Sequence, residues 1–271
     1  MHLAESGHNV FGTVRSIARA GKLLDAAEER GVGVQLVELD IASDSSVRDG
    51  FAEILEQAGR VDHLVNNAGL GGNGVVEETS SERLLDVMNV DLCGAVRCLQ
   101  AVLPGMRERG SGTIVNITSV AGRLAAIAQA PYVAAKWALE GISEELAIEV
   151  APFGVRVAII EPGVTKSSIF GKNTDAPNDS GVYDAQYARM LQMYAAGYVH
   201  ATDAVEVARI VQHAIETDDP KLRYPVSWGG PEIVAGRAAM TDEQWVELGR
   251  VESLDDYIAR FEELFGVDIS T

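Results

Sequence analysis

The chain has little cysteine, and its two cysteines form no recognised pattern. Cys93 and Cys98 are the only cysteines among 271 residues. On a helix their spacing puts them on different sides, so they fit neither a disulfide framework nor a zinc site. We expect buried structural thiols in a cytoplasmic protein of the reducing cytosol.

Long hydrophobic runs and an excess of basic residues are also absent. No uninterrupted apolar run approaches the ~20 residues of a membrane span, and residues 1–8 lack the basic start and apolar stretch of a signal peptide. Against 40 Asp and Glu there are 22 Lys and Arg, a formal net charge of −18. This balance argues against nonspecific nucleic-acid binding, disfavours binding to anionic membranes and favours a solvated acidic surface.

Short apolar segments alternate with helical patterns along the first two thirds of the chain. Overall 47% of the residues are hydrophobic and 23% are charged, which is typical of globular proteins. Apolar runs predict strands, and periodic apolar residues predict helices. The predicted strands are 9–14, 34–39, 61–65, 113–117, 156–160 and 222–226. The predicted helices are a stretch after the first strand through Arg30, 47–57, 81–109 with a kink or early end at Pro104, 132–150, 183–195, 203–215, 241–249 and 254–265.

This order predicts an α/β fold, a doubly wound parallel sheet with helices on both faces. No internal repeat or linker divides the sequence. We therefore predict a single domain, with a core over 1–165 and a loop and C-terminal helices over 166–271. In such sheets ligands bind beyond the carboxyl ends of the strands, where several distinctive residues follow the predicted strands: Arg15, Asp40, Asn66, Ser119, Pro162 and Gly163.

Tyr132 and Lys136 are four residues apart on a predicted helix, so the phenol and the ammonium share one face. A phenol titrates near pH ~10, and a neighbouring cation favours its ionised form. The pair is therefore a candidate general acid and base. Taken alone, the same spacing also suits an exposed aromatic–cation pair with no function.

Further motifs fall around this pair. Asn66-Asn67-Ala68-Gly69 follows a strand, Asn89 lies in Met88-Asn89-Val90, Ser119 follows the strand 113–117, and Pro162-Gly163 follows the fifth strand. In combination these residues closely resemble the classical short-chain dehydrogenase/reductase family over at least residues 1–170. The resemblance implies a Rossmann-like fold and an oxidoreductase that uses a nicotinamide cofactor.

The resemblance implies a set of four catalytic residues. Tyr132 would exchange the hydroxyl proton, Lys136 would hold the nicotinamide ribose and favour the phenolate, and Ser119 would hydrogen-bond the substrate oxygen. Asn89 would anchor a water that connects Lys136 to solvent. Two alternatives stay open, because Ser119 could be a helix cap and Asn89 could merely bond backbone in a kinked helix.

The resemblance also implies a cofactor site. Asp40 would contact the adenine, although it could instead cap the next helix. Arg15 follows the first strand, where an acid would select NAD, and its guanidinium favours the 2′-phosphate of NADP unless it is a solvated surface residue. The implied cofactor-binding residues are Arg15, Asp40, Ile41, Asn66, Ala68, Gly69, Tyr132, Lys136, Pro162, Gly163 and Thr165.

The sequence departs from the family at its start. The family opens with a strand, a glycine-rich turn that cradles the pyrophosphate, and a helix, but residues 1–8 resemble only the last turns of that helix. The fold is therefore expected to be N-terminally incomplete, with the absent strand between 9–14 and 61–65. Either the true protein is longer, or the short chain is a weakened enzyme or a noncatalytic remnant.

The substrate pocket is expected around 119–132, the loop 166–180 and the helix that follows. Its predicted residues are mostly apolar and favour a lipophilic alcohol or ketone such as a steroid or retinoid, although apolar residues at helical spacing could equally be core. They are Val120, Leu124, Ile169, Phe170, Tyr183, Tyr187, Met190 and Tyr194. No cluster suggests a metal. The main hypothesis is an NADP-dependent alcohol/carbonyl oxidoreductase, and its rival is a noncatalytic dinucleotide sensor or scaffold. The resemblance implies a homodimer or homotetramer through 81–109 and 132–150.

Overall fold

We describe a computed structural model of the chain over residues 1–167, 169 and 177–271. The strands are β1 (Val10–Val14), β2 (Val34–Glu38), β3 (His63–Asn66), β4 (Gly112–Ile117), β5 (Val155–Pro162), β6 (Thr165–Lys166), β7 (Thr202–Asp203) and β8 (Arg223–Val226). The helices are α1 (His2–Glu5), α2 (Gly21–Glu29), α3 (Asp44–Ala58), α4 (Ser81–Met88), α5 (Gly94–Arg109), α6 (Ala130–Val150), α7 (Asp184–His200), α8 (Ala204–Glu216), α9 (Gly230–Ala239), α10 (Asp242–Gly249) and α11 (Leu254–Phe265).

The strands pair in parallel, which confirms the predicted α/β fold. The central sheet has the order β3-β4-β5-β8, and β1 pairs with β2 in a separate ladder. Buried side chains run almost without interruption along β4 and β5, as expected for parallel strands covered on both faces. The short strands β6 and β7 form a further pair beyond the central sheet.

Two hydrophobic layers cover the sheet. One joins Val37 and Leu64 of the strands to Phe51 of α3 and to Leu99 and Met106 of α5. The other packs α8 and the N-terminal Leu3 against β4 and β5. Local signals set the helix ends, since the Ser43 hydroxyl accepts a hydrogen bond from Ser46 N at the start of α3 and Gly59, with φ of 75°, ends that helix.

The sheet is interrupted between β1 and β3. Each is paired on one side only, and no ladder in the described part of the chain joins them. A cavity of about 1550 Å³ runs between them, and apolar side chains such as Phe11, Phe51 and Leu64 line it. The gap lies where the resemblance predicts the absent strand, and the prediction of an incomplete N-terminus stays a prediction.

The predicted helix 81–109 is interrupted, although not at Pro104. A π-helical turn, Asn89–Cys93, separates α4 from α5, and α5 continues through Pro104 to Arg109. The prediction of an early end was wrong. Pro104 has no N–H to donate to the carbonyl of Gln100, but both residues lie on the exposed side of the helix, where water can reach that carbonyl. By length and composition Ser81–Arg109 could cross a membrane, but Leu99 and Met106 are buried in the core of this fold.

The C-terminal helices form a third hydrophobic cluster beside the central sheet. Tyr257, Phe261 and Phe265 of α11 pack with Ile233 of α9 and with Leu124 from the segment after β4. Helix α9 was not predicted from the sequence. The cluster places the end of the chain against the segment that follows Ser119.

Candidate active site

Helix α6 carries Tyr132 and Lys136 on one face at the edge of the cavity. Its start is fixed by backbone bonds, because Gly74 N donates to Ala128 O over 2.7 Å and Ala130 N donates to Gly74 O over 2.9 Å. Lys136 Nζ lies 5.5 Å from the centre of the Tyr132 ring. Both side chains line the same cavity.

Lys136 is held in place by two oxygens in a buried position. Its side chain is nearly covered, and Nζ donates to Ile117 O over 3.3 Å. The Asp91 carboxylate lies 3.3 Å from the same nitrogen. Burial raises the pKa of Asp91, while the Lys136 cation and the Leu70 N–H oppose that effect. An ammonium beside a phenol is thus paired with a buried acid that the sequence did not indicate.

Ser119 follows β4 and faces the same cavity. Its Oγ accepts a hydrogen bond from Ala121 N at 3.1 Å and so caps the short turn Val120–Gly122. The hydroxyl also points to Pro162 O at 3.4 Å. Glycine at position 122 permits close packing of this turn on α6, because a Cβ there would lie 2.9 Å from Glu140 Cγ and 3.0 Å from the backbone oxygen of Lys136. Ser119 is therefore both a cap and a cavity residue.

Three polar side chains fasten the sheet to helix α6. The Asn66 amide donates to Asn116 Oδ1 over 2.9 Å, and Asn116 donates to Ser143 Oγ over 2.8 Å. Asn116 and Ser143 have no exposed surface. This chain of bonds spans β3, β4 and α6, and a polar residue in the middle of the apolar strand 113–117 was the sequence signal for it.

Asn89, which was predicted to anchor a water that connects Lys136 to solvent, makes its hydrogen bonds with other groups. Its amide donates to Ala42 O over 3.4 Å, and its oxygen accepts a hydrogen bond from Arg97 at 2.9 Å. The π-helical turn widens the helix at this point and directs Asp91 inward in its place. Of the two, Asp91 is the residue that the structure brings to Lys136.

The other predicted cofactor residues divide into two groups. Those that line the cavity are Ile41, Asn66, Ala68, Gly69, Pro162, Gly163 and Thr165. Arg15 is exposed at the carboxyl end of β1. Asp40 Oδ1 accepts a hydrogen bond from Ala42 N at 3.0 Å, which stabilises the turn before α3, but the cap of that helix is Ser43.

A buried ionic network lies behind Ser119. Glu161 has no exposed surface and contacts Arg123 at 2.9 Å and Arg223 at 3.5 Å. Arg223 also donates to Glu140 over 3.0 Å, and Glu140 accepts a hydrogen bond from the Thr118 hydroxyl at 2.6 Å. Burial, and then the Glu140 carboxylate, raise the pKa of Glu161. The network fixes the ends of β4 and β5 against α6.

Five of the predicted substrate-pocket residues line the cavity: Val120, Leu124, Ile169, Met190 and Tyr194. Tyr183 and Tyr187 have other hydrogen-bond partners. The Tyr183 hydroxyl donates to Glu77, and the Tyr187 hydroxyl donates to Pro177 O and accepts from Val75 N. Phe170 and most of the predicted loop lie outside the described residues.

Comparisons with known proteins show the family to which the chain belongs. Residues 1–178 match the family described as short chain dehydrogenase. The chain is 35% identical over 239 residues to 17-beta-hydroxysteroid dehydrogenase type 1 of Mus musculus, covering 83% of this chain and 69% of that protein. A solved short-chain dehydrogenase from Streptomyces avermitilis has a TM-score of 0.77 and 33% identity, covering 92% of this chain and 90% of that one. A variant of actinorhodin polyketide ketoreductase, solved with NADPH, has a TM-score of 0.66 and 32% identity, covering 79% of this chain and 83% of that one. The chain belongs to the short chain dehydrogenase family of oxidoreductases.

Proposed function

We propose that the protein is an NADP-dependent oxidoreductase that interconverts a secondary alcohol and a carbonyl compound. The observation that carries the proposal is the placement of Lys136 Nζ 5.5 Å from the Tyr132 ring, with Ser119 on the wall of the same cavity. A phenol, an ammonium and a hydroxyl are the groups that such a proton transfer needs.

In the proposed mechanism Tyr132 moves the proton. In the reducing direction its hydroxyl gives a proton to the substrate oxygen as the carbonyl becomes an alcohol, and in the oxidising direction the phenolate takes it back. The buried Lys136 cation stabilises the phenolate. The Ser119 hydroxyl, whose contact to Pro162 O is long at 3.4 Å, can turn to donate to the substrate oxygen and stabilise its developing charge.

The cavity fits a nicotinamide nucleotide at the end where Lys136 lies. The Lys136 ammonium and the Thr165 hydroxyl line the cavity and are donors suited to ribose and carboxamide oxygens. When bound, the nicotinamide would supply or accept the hydride. Arg15, exposed at the end of β1, supports NADP over NAD, and a related ketoreductase was solved with NADPH.

The substrate is proposed to be lipophilic. Apolar side chains from three segments line the cavity that Ser119 also lines: Val120 and Leu124 after β4, Met190 of α7 and Phe261 of α11. Pockets of this composition bind apolar molecules and orient them with a few polar groups. The likeness to a 17-beta-hydroxysteroid dehydrogenase supports a substrate of this class.

The exposed apolar side chains of α4 and α6 support a homo-oligomer. Leu85 is 66% exposed, Trp137 48% and Ile148 70%. Large apolar side chains gathered on neighbouring helices are typical of subunit interfaces. We propose pairing of two copies through these helices.

A noncatalytic dinucleotide-binding protein is the second candidate, and the gap between β1 and β3 favours it. Unpaired strand edges weaken a parallel sheet. A cofactor clamped less firmly would lose the near-attack geometry on which the rate of hydride transfer depends.

Replacement of Tyr132 by Phe tests the proposal. We expect Tyr132→Phe to lower kcat/KM for NADPH-dependent reduction of a panel of lipophilic ketones by about 10²–10⁴-fold, because the proton donor is lost. Tyr198→Phe, at a residue 83% exposed, serves as the matched control and should leave the rate unchanged. Equal rates for the Tyr132→Phe and wild-type proteins would refute the mechanism, and NADPH binding without turnover would favour the second candidate.

A further inference from the structure

Asp91 is a buried acid at the centre of the candidate site. It lies on the π-helical turn Asn89–Cys93 between α4 and α5 and is 1% exposed. Its flanking residues Val90 and Leu92 are apolar. Isolated acids are rarely buried in this way unless they are paired with a cation. The partner here is Lys136, with 3.3 Å between Oδ2 and Nζ.

The carboxylate also holds the loop that follows β3. Asp91 Oδ1 accepts a hydrogen bond from Leu70 N at 2.6 Å. A Cβ on Gly69 would lie only 3.1 Å from Oδ2, so the absence of a side chain at Gly69 permits this close approach. Asp91 therefore connects a loop that lines the cavity to the ammonium beside Tyr132.

The negative charge of the Asp91 carboxylate acts on Tyr132 together with the positive charge of Lys136. In a buried site two opposite charges 3.3 Å apart interact strongly, and the anion offsets part of the field that the cation exerts on the phenol. The groups facing the pair are Lys136 and Tyr132 from α6, Leu70 N–H from the loop after β3, and Ile117 O from β4. Among the described residues, Lys136 is the cation within ion-pair distance of Asp91.

We propose that Asp91 is the counterion of Lys136 and sets the pH at which Tyr132 exchanges its proton, an inference that rests on the proposed function. The resemblance implied a different neighbour for Lys136, a water anchored by the uncharged amide of Asn89. A neutral side chain would leave the full lysine charge to act on the phenol. The carboxylate weakens that action, so the phenolate forms at a higher pH than it would beside an unpaired lysine. Asp91 is thus a positioning and tuning residue.

Replacement of Asp91 by Asn separates charge from structure. The amide oxygen can still accept the hydrogen bond from Leu70 N, but the anion is lost. We expect the phenolate absorbance of Tyr132, obtained by subtracting the spectrum of the same protein with Tyr132→Phe, to appear about one pH unit lower in Asp91→Asn than in the wild type. One pH unit corresponds to a tenfold change in the ionisation equilibrium. In active protein, the acidic limb of the kcat/KM profile for alcohol oxidation should move in the same direction.

A double-mutant cycle with Lys136→Gln shows whether the effect passes through the lysine. Removal of the cation should raise the pH of phenolate formation more in the Asp91→Asn background than in the Asp91 background. Where Asp91 is present, the buried carboxylate loses its partner, takes up a proton and loses its own charge together with that of the lysine. Should Asp91→Asn fail to fold by circular dichroism, Asp91→Ser removes the same charge and keeps an acceptor for Leu70 N.

The absorbance titration needs no turnover, so the two proposals can fail separately. A shifted titration without any activity would support the role of Asp91 and count against the proposed reaction. An identical titration in the wild-type and Asp91→Asn proteins, or strict additivity in the cycle, would overturn the role of Asp91 and leave the proposed reaction standing.

Discussion

Glu161 is a single residue whose protonation should be visible in the stability of the whole protein. It has no exposed surface, and its raised pKa follows from burial and from the Glu140 carboxylate, with Arg123 and Arg223 acting in the opposite sense. Because the folded pKa is above the usual value of 4.5, the group favours folding at low pH. That contribution is lost as the pH rises through the folded pKa.

Glu144 is a matched control with the opposite sign. It is exposed on α6, and its hydrogen bond and attraction to Arg223 lower its pKa. Its contribution is therefore present above 4.5 and is lost as the pH falls through the folded pKa.

We predict opposite pH trends for the two glutamine variants. As the pH rises from about 4 to 7, Glu161→Gln should gain stability relative to the wild type, and Glu144→Gln should lose it. The free energy of unfolding in urea, measured at a series of pH values, checks both. Parallel trends for the two variants would mean that burial and the Glu140 carboxylate do not raise the pKa of Glu161.

The residues of the candidate site differ in how far the sequence could predict their positions. Ser119, Tyr132 and Lys136 were predicted to meet, and all three line one cavity, because residues after parallel strands and on one helical face must converge. Asn89 contacts Ala42 O and Arg97, because a π-helical turn changes which side chain faces inward. A lone acid between Val90 and Leu92 was the available signal for Asp91.

At the scale of elements, Arg189 connects the C-terminal helices to α7. It is 4% exposed, donates to Gly249 O over 3.1 Å and to Val251 O, and lies 4.8 Å over the Tyr257 ring. It therefore closes the end of α10 and orients α11, whose Tyr257 and Phe261 line the cavity. Burial raises the pKa of Tyr257 to about 12, so this phenol remains neutral near pH 7.

Loss of this arginine should loosen both helices. Arg189→Ala leaves the carbonyls of Gly249 and Val251 without their charged donor, and we expect a loss of about 1.5–3 kcal/mol in the free energy of unfolding. Arg250→Ala removes an exposed arginine paired with Glu247 in the same segment and should cost less than about 1 kcal/mol. Hydrogen exchange should accelerate over residues 242–265 in the first variant alone. Unchanged exchange there would show that the hydrophobic cluster holds the helices without Arg189.

Helices and strands were predictable where periodicity and caps agree. Strands β1 to β5 and β8 lie within a few residues of their predicted bounds, because buried parallel strands need apolar runs. The helix continues through Pro104 because the carbonyl of Gln100, which receives no hydrogen bond from the proline, lies on the exposed side of the helix. Water can satisfy this carbonyl there. Helix α9 was not predicted because its sequence contains two glycines and a proline and shows little periodicity of apolar residues.

At the scale of the whole molecule, the gap between β1 and β3 leaves two facing strand edges without partners among the described residues. Both strands belong to one hydrophobic layer, since Phe11 and Leu64 pack in the same cluster, yet no ladder in the described residues joins them. The facing edges present backbone groups that cost ~1–3 kcal/mol each when buried without partners. A parallel strand with apolar side chains on both faces would satisfy those groups and fill the part of the cavity that lies between β1 and β3.

Addition of such a strand is therefore predicted to stabilise the protein and to create cofactor affinity. We would fuse a strand, a glycine-rich turn and a helix ahead of Met1, and expect slower amide exchange in β1 and β3 and a gain of at least about 3 kcal/mol in the free energy of unfolding, since several backbone groups become paired. The turn should also bring measurable NADPH binding, because its backbone N–H groups and the helix start can hold a pyrophosphate. A fusion of equal length whose strand residues are changed to Pro and Asp is the control, since it cannot join the ladder. If both fusions protect the same amides and bind NADPH equally, the added strand does not pair in the gap between β1 and β3, and the noncatalytic candidate gains support.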